Sequence, residues 1–582
     1  MSRFRRRDLL FGSAASFAAS ACGPKPTRPT QPPQPPQPQT AAPQTAELLV
    51  RGGRIETLDA ARPTVEALVA SQGKILALGT MAEMERHVGK ATRVVDLRGG
   101  VAVPGLVDAH AHLAGLGASL EQVDLRGATS IEEVVARCKK ADRGQAWILG
   151  RGWDQNLWAD TKMPTHDALS KAFADRPVWL RRVDGHAGWA NAAAMKAAGI
   201  GKATKAPAGG EILRDAKGNP TGVLVDAAMG LLTPPAASAA DLERHLLAAQ
   251  EHIVALGLTG VHDMGIGPTE HDVYRQLSAD EGEARRLKVR VSAYAAQSWF
   301  ATFDRKGPQR TDASISSDRY YELVGVKLYA DGALGSRGAA MLTEYSDRPG
   351  HTGLLQNTRE ELAAMCHKAA TESWQVATHA IGDAGNRTVL DEYAKALPMI
   401  TGKDAKAADP RWRIEHAQIV AVEDIARFAE LGVIASMQPT HATSDMAWVP
   451  ARIGQARLPG AYAWRRFLDA GVALAFGSDF PVELPDVAHG LYAAITRQDA
   501  TGGPEGGWLP DQRLTMHEAV AAFSRGAAHA VHREDHLGTL AVGMLADLSC
   551  FDRDLFSVEP AAVREAKATA TIIAGDVVYL AP

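Results

Sequence analysis

The chain has 582 residues, of which 46% are hydrophobic and 22% charged, with a formal net charge of -4 and a pI of about 6.6. This composition is typical of a large globular protein and offers no basic field for nucleic acid. The four cysteines form no CxxC pair and are too few for a dense disulfide framework, so neither a thiolate metal site nor a disulfide-stabilised scaffold is indicated. We therefore expect an enzyme that acts on a small molecule, with any metal held by nitrogen and oxygen ligands.

Residues 1–22 have the features of an export signal. Three arginines precede an apolar stretch, Leu9 to Ala21, which is too short to be a permanent membrane span. The sequence RRDLL is similar to the core of a twin-arginine signal, and the small residues before Cys22 resemble a loose lipoprotein cleavage site. We expect export to the periplasm or cell envelope, either with ordinary cleavage or with a membrane tether through lipidated Cys22.

Proline-rich and β-like segments follow the signal. Residues 23–46 lack large apolar side chains, which is typical of an extended polyproline linker. Short β-like runs broken by glycine and aspartate occupy residues 47–103 and return in residues 536–582. Since neither end is long enough to close a core of its own, we expect both to combine in one small β-sandwich domain.

Residues 104–535 alternate apolar strand candidates with amphipathic helix candidates. For example, TREELAAMCHKAATESW has a helical apolar stripe and precedes the strand-like run QVATHAIGD. This α/β alternation predicts parallel strands with helical crossovers, and over this length it favours a closed (β/α)8 barrel of the TIM type. An open doubly wound sheet is the alternative. No GxGxxG or Walker motif is present to indicate nucleotide binding.

Polar residues follow several of the apolar runs. In a βα barrel, catalytic side chains lie at the carboxyl ends of the strands. The candidates at such positions are His110 and His112 in GLVDAHAH, Lys327 in LVGVKLYADG, His379 in QVATHAIGD, His416 in WRIEHAQ and Asp479 in VALAFGSDF. Each alone has an ordinary alternative, such as a hydrogen-bonded buried histidine, a helix cap or a solvent-reaching lysine.

In this order, the series resembles the amidohydrolase superfamily, and within it the amidohydrolase family 3 group that includes N-substituted formamide deformylases. Other segments similar to this family are GRGWDQNLW, VDGHAGWANAAAM, VKLYADGALGSRGA, THAIGDAGN, RIEHAQ and GSDFPV. The resemblance extends from about residue 47 to the last residues. It implies a (β/α)8 barrel with a composite β domain, and an insertion at about residues 116–225 that covers the barrel mouth.

The resemblance also implies a binuclear metal centre. The implied ligands are His110, His112 and Asp479 for one metal, His379 and His416 for a second, and a CO2-carbamylated Lys327 as the bridge. Zinc is the expected metal, and the same ligands would also hold Mn, Fe or Co. Such ions lower the pKa of bound water to give hydroxide, with Asp479 as the proton acceptor.

Further residues in family-like segments are candidates for substrate binding, each with a structural hydrogen bond as an equal alternative: Asp154, His186, Asp331, Arg337, Gln438 and His441.

The predicted function is hydrolysis of a C–N amide-type bond in an N-substituted formamide or N-acyl amine. The alternatives are a mononuclear deaminase of the same superfamily and a non-catalytic exported ligand-binding protein. The presence of Lys327 argues against a mononuclear deaminase, and the intact ligand set argues against a non-catalytic binding protein. The sequence leaves open whether the protein forms a homodimer.

Overall fold

The computed structural model describes residues 45–582, except 183–186, 208–209, 280–284, 305–306, 308–319, 336 and 401–408. The expected export signal, Cys22, nearly all of the linker and His186 lie outside the described residues. Within the described ranges, no helix combines the length and the apolar character that crossing a membrane requires.

Strands from both ends of the described chain form one eight-stranded sheet, in the order β22-β21-β20-β5-β1-β2-β3 with β4 beside β1. The antiparallel pair β5 and β20 joins the two ends. Apolar side chains from both ends share one buried core. The predicted composite domain is confirmed, although its strands form one continuous sheet. These strands are β1 (Leu48–Glu56), β2 (Thr64–Ser71), β3 (Lys74–Gly79), β4 (Arg93–Asp96), β5 (Val101–Pro104), β20 (Leu548–Phe551), β21 (Ala568–Ile573) and β22 (Asp576–Leu580).

A second sheet follows the first barrel strand and corresponds to the expected insertion. It has six strands in the order β11-β12-β10-β9-β8-β7. Its core contains the mutually packed rings of Trp153, Trp158 and Trp189, with centroids 6.0 to 6.1 Å apart. Its strands are β7 (Val123–Asp124), β8 (Ile148–Trp153), β9 (Val178–Arg182), β10 (Ala187–Ala190), β11 (Gly210–Arg214) and β12 (Pro220–Asp226).

Eight parallel strands form the predicted (β/α)8 barrel, which confirms the fold class. The strands are largely buried on both faces, and their sequences are therefore nearly continuous apolar runs. Between the last strand and the first, Asp479 N–H donates to His110 O at 2.7 Å, and Ser478 N–H donates to the Asp108 carboxylate at 3.0 Å. The barrel strands are β6 (Leu106–Ala111), β13 (Leu258–Ile266), β14 (Arg290–Ala296), β15 (Tyr321–Tyr329), β16 (Gln375–Ala380), β17 (Arg413–His416), β18 (Ile434–Met437) and β19 (Leu474–Phe476).

Helices connect and cover these sheets. Several begin at capping boxes. At Thr358 and Glu361, for example, the side chain of each residue accepts a hydrogen bond from the backbone N–H of the other. The helix predicted from TREELAAMCHKAATESW is α9. The helices are α1 (Met81–Met84), α2 (Leu113–Glu121), α3 (Ile131–Lys140), α4 (Asp167–Ala172), α5 (Ala192–Ala197), α6 (Ala239–Val254), α7 (Pro268–Ser278), α8 (Gln297–Phe300), α9 (Arg359–Thr371), α10 (Asp383–Ala396), α11 (Ile425–Glu430), α12 (Pro439–Asp445), α13 (Val449–Ile453), α14 (Trp464–Asp469), α15 (Val487–Thr496), α16 (Met516–Phe523), α17 (Arg525–Ala530) and α18 (Pro560–Val563).

Candidate metal centre

The implied metal ligands lie at the carboxyl ends of five barrel strands. They are His110 and His112 at β6, Lys327 near the end of β15, His379 in β16, His416 at the end of β17, and Asp479 just after β19. In the barrel sheet β15, β16 and β17 are neighbours, whereas β18 separates β17 from β19 and two strands separate β15 from β6. Because all eight strands are parallel, their carboxyl ends meet at one end of the barrel, which collects all six side chains.

The side chains converge on one point. One ligand atom from each of His110, His416 and Asp479 lies within 4.8 Å of the other two. His112 Nε2 lies 3.1 Å from Asp479 Oδ1, and the ring of His379 is 4.6 Å from that of His416, centroid to centroid. This arrangement brings nitrogen and oxygen donors together in the way that a divalent metal site requires.

Two of these residues adopt backbone conformations that side-chain-bearing residues rarely take. His416 has φ of 72° and Asp479 has φ of 60°. Such positions cost on the order of 1–3 kcal/mol and persist where the surroundings impose them, often at functional sites. Glu415 and His416 are consecutive in β17, where side chains normally point to opposite faces, yet both contact His110. The positive φ of His416 marks this departure from regular strand geometry.

Lys327 is wholly buried beside the histidines. Its Nζ lies 3.3 Å from His110 Nε2, and no carboxylate among the described residues forms an ion pair with it. Burial lowers the pKa of Lys327 to about 8. A buried ammonium without a counter-ion is costly, so the neutral amine is accessible near physiological pH.

His110, His379 and His416 are neutral and Asp479 is ionised. For His112, burial acts to lower the pKa, but the hydrogen bond to Asp479 and the charge of that carboxylate raise it above the ordinary value. Burial, with the neighbouring Lys327 ammonium, lowers the pKa of His110 to about 4 and that of His379 to about 3, and burial holds the pKa of His416 well below its ordinary value. For Asp479, burial acts to raise the pKa, but the surrounding imidazoles, His110 foremost, keep it below the ordinary value. Neutral imidazoles and a carboxylate are the protonation states that bind metals.

The donor set fits a divalent metal. Within the described ranges, the buried Nε2 atom of His379 has no hydrogen-bond partner. Buried polar atoms are normally satisfied, so this nitrogen is a donor that a divalent cation would satisfy. The ring of His379 is held by the backbone of Gly332, and His416 Nδ1 by Gln438 Oε1 at 2.8 Å. Such contacts orient imidazole ligands.

The other predicted residues have different surroundings. Wholly buried Asp331 accepts hydrogen bonds from three backbone N–H groups, and its Oδ1 is 3.7 Å from His379 Nε2. Arg337 forms an ion pair with Asp347 at 2.8 Å. His441 Nε2 faces Asp479 Oδ2 at 3.8 Å. Thus His441 lies at the centre, whereas Arg337 is engaged elsewhere.

The last predicted residue, Asp154, lies in the insertion. Its Oδ1 accepts a hydrogen bond from Arg182 Nη2 at 3.2 Å. This contact joins the segment after β8 to the end of β9 and gives Asp154 a structural partner.

Four buried polar residues beneath the centre were not predicted as site residues: Asp108, His262, Arg413 and Glu415. Burial alone would raise the pKa of Glu415, but Arg413 and His110 lower it below its ordinary range. The sequence RIEH carried a signal for the pair Arg413 and Glu415. The two charged residues are two positions apart, so their side chains share one face of a buried strand.

Fold and site together define a class: a (β/α)8 barrel with a histidine-rich centre at its carboxyl end and a composite β sheet. The amidohydrolase family model matches residues 93–579. The chain belongs to the amidohydrolase family, as its sequence indicated, and is a hydrolase of that family.

Relatives share nearly the whole chain. The protein LONG AFTER FAR-RED 3 of Arabidopsis thaliana is 34% identical, covering 92% of each chain. An N-substituted formamide deformylase of Arthrobacter pascens is 27% identical over 92% of this chain and 99% of its own. The crystal structure of an uncharacterised metal-dependent hydrolase from Pyrococcus horikoshii superposes with a TM-score of 0.72 at 28% identity, covering 88% of this chain and 99% of that one.

Proposed function

We propose that the protein is a metal-dependent hydrolase of a non-peptide C–N bond, in an N-substituted formamide or another N-acyl amine. The observation that carries this proposal is the convergence of ligand atoms from His110, His416 and Asp479 within 4.8 Å of one another. The full-length similarity to an N-substituted formamide deformylase supports this substrate class.

We take the ligand roles that the resemblance to the amidohydrolase family implies. His110, His112 and Asp479 would hold one divalent metal, and His379 and His416 a second. We propose zinc for both, because imidazole-rich N/O sites suit it, with Mn, Fe or Co as the alternatives. Bound metals of this kind activate water as a nucleophile and polarise the substrate carbonyl.

Lys327 would bridge the metals as a carbamate. Its neutral amine adds to CO2, forming an N–C bond and releasing one proton, which converts a buried cation into an anionic oxygen ligand. The lowered pKa of about 8 favours this reaction, since the free amine is the reactive form. This change would also give the buried site the negative charge that two dications need.

Asp479 is positioned to move the proton in the reaction. Hydrolysis of R–NH–CHO by water yields an amine and formate, so a proton must travel from the attacking water to the leaving nitrogen. The ionised Asp479 can accept this proton and release it. His441, with Nε2 3.8 Å from Asp479 Oδ2, is our candidate for the side chain that hydrogen-bonds the substrate.

Turnover of a substrate panel tests this function. The metal-loaded protein is assayed with N-substituted formamides, longer N-acyl amines, cyclic amides, esters and deaminase substrates. Release of amine and formate, abolished by a chelator and restored by Zn2+, is the expected result. Turnover of esters or deaminase substrates alone would contradict the proposal.

Replacement of the lysine separates the binuclear enzyme from its alternatives. In Lys327→Ala we expect loss of metal and a fall in activity of at least about a hundredfold, since the bridge is lost. The control is Lys162→Ala, whose side chain is 86% exposed. A Lys327→Ala protein with full activity and one metal would instead favour a mononuclear deaminase.

We also propose export to the cell envelope, on the basis of the signal-like first 22 residues. Cell fractionation of the wild type and of Cys22→Ala tests whether the protein is exported and whether lipidation tethers it.

A further inference from the structure

Glu415 contacts His110 on the side of the ring that faces away from the centre. Its Oε2 lies 2.6 Å from His110 Nδ1, and both side chains are buried. The other ring nitrogen of His110, Nε2, lies 3.6 Å from Asp479 Oδ1. A carboxylate only accepts hydrogen bonds, so Nδ1 carries the hydrogen and the Nε2 lone pair faces the centre.

Arg413 holds Glu415 in this position. Its Nη2 donates to Glu415 Oε2 at 3.0 Å, and its Nε lies 2.8 Å from Oε1. Both residues are wholly buried and belong to the same strand, β17, two positions apart. The guanidinium therefore neutralises the carboxylate and leaves Oε2 aimed at His110.

Arg413 is itself fixed from four other strands. It donates to Ala109 O at 2.6 Å, to Ser436 Oγ at 2.7 Å and to Tyr294 OH at 3.1 Å. A fourth contact joins Nη1 to His262 Nδ1 at 2.8 Å. These partners lie on β6, β18, β14 and β13, so the guanidinium spans the barrel interior and has little freedom to move.

Stability alone does not account for this arrangement. A buried ion pair contributes little to the free energy of folding, because the desolvation of two charges offsets their attraction. The chain has another buried pair, Arg290 and Asp547 at 2.6 Å, where the barrel meets the composite sheet. The distinguishing feature of the pair Arg413 and Glu415 is that Glu415 Oε2 also contacts the ring of His110, an implied ligand of the metal centre.

We propose that Glu415, held by Arg413, is a positioning residue that fixes the tautomer and ring plane of His110 and strengthens its Nε2 as a metal donor. This inference rests on the proposed metal-dependent function. Carboxylate partners of this kind change metal affinity or activity by about tenfold to a hundredfold.

Metal affinity tests the inference separately from catalysis. Zn2+ binding is measured by competition with a chromogenic chelator, and the Co2+-loaded protein is examined by visible absorption. Glu415→Gln keeps the size of the side chain and removes its charge. We expect about tenfold to a hundredfold weaker Zn2+ binding and an altered Co2+ spectrum, with cooperative unfolding retained.

Two further variants complete the test. Glu415→Asp keeps the negative charge, but its side chain is one methylene shorter and holds the carboxylate farther from His110. We therefore expect a loss of Zn2+ affinity intermediate between the wild type and Glu415→Gln. Asp547→Asn breaks the other buried pair, so we expect a lower melting temperature with unchanged Zn2+ affinity.

Unchanged Zn2+ affinity in both Glu415 variants, failure of both to fold, or an equal loss in Asp547→Asn overturns the inference. A wild-type protein that binds no metal overturns it together with the proposed function. A wild type that binds Zn2+ but hydrolyses no amide contradicts only the proposed function, and the weakened binding in Glu415→Gln then still supports the role of Glu415.

Discussion

Three neutral histidines make the metal-free protein sensitive to acid. The pKa of His110 is lowered to about 4 and that of His379 to about 3, and His416 shifts in the same direction, against an ordinary value of 6.5. Below pH 6.5 the unfolded chain therefore binds protons that the folded chain does not. The contribution of each such histidine to the free energy of unfolding therefore falls, by about 1.4 kcal/mol per pH unit, as the pH falls below 6.5.

We therefore predict that, between pH 5 and pH 7, the slope of melting temperature against pH is more positive for the chelator-treated wild type than for His379→Gln, which lacks one of these groups. Scanning calorimetry at several pH values measures both slopes. Equal slopes for the wild type and His379→Gln would contradict the assignment of a buried, neutral His379.

At the scale of elements, the seam between β19 and β6 sets the distance between His110 and Asp479. Gly477 lies at this seam, where a Cβ would meet Asp108 Oδ1 at 2.4 Å and His110 N at 2.6 Å. The absence of a side chain therefore allows the two strands to approach. The Asp108 carboxylate completes the contact by accepting from Ser478 N–H and from Ser478 Oγ–H at 2.6 Å.

Gly477→Ala should force this seam apart. We expect a loss of about 1–3 kcal/mol in unfolding free energy, typical of overpacking, together with weaker metal binding. The control is Gly201→Ala, because a Cβ there meets nothing within 4 Å. Urea unfolding and metal titration measure the two effects. Normal metal affinity in Gly477→Ala would show that the seam does not set the ligand geometry.

The elements were largely predictable because their signals are local. Apolar runs marked the barrel strands, and the helical stripe of residues 358–374 marked α9. The contact of Glu415 with His110 was not predictable, since it joins residues 305 positions apart and depends on strand register. Likewise, Asp108 and Ser478 are 370 positions apart, and nothing in either segment alone identifies the other as its partner.

At the scale of the whole molecule, the composite sheet ties the two ends of the described chain to the barrel. Asp547, next to β20, accepts from Arg290 of β14 at 2.6 Å and so links sheet and barrel. The β-like runs at both ends, each too short to close a core of its own, were enough to predict that the two ends combine. The strand order was not predictable, because it depends on which edges meet after folding.

The proposed metal centre requires that one end of the barrel brings donors from five strands together around a divalent metal. Anomalous diffraction from crystals of the Zn2+-loaded protein, recorded at the zinc edge, tests it most directly. We predict strong peaks at about 2.0–2.2 Å from ligand atoms of His110, His416 and Asp479. Crystals that contain zinc but show no peak among these three side chains would contradict the claim.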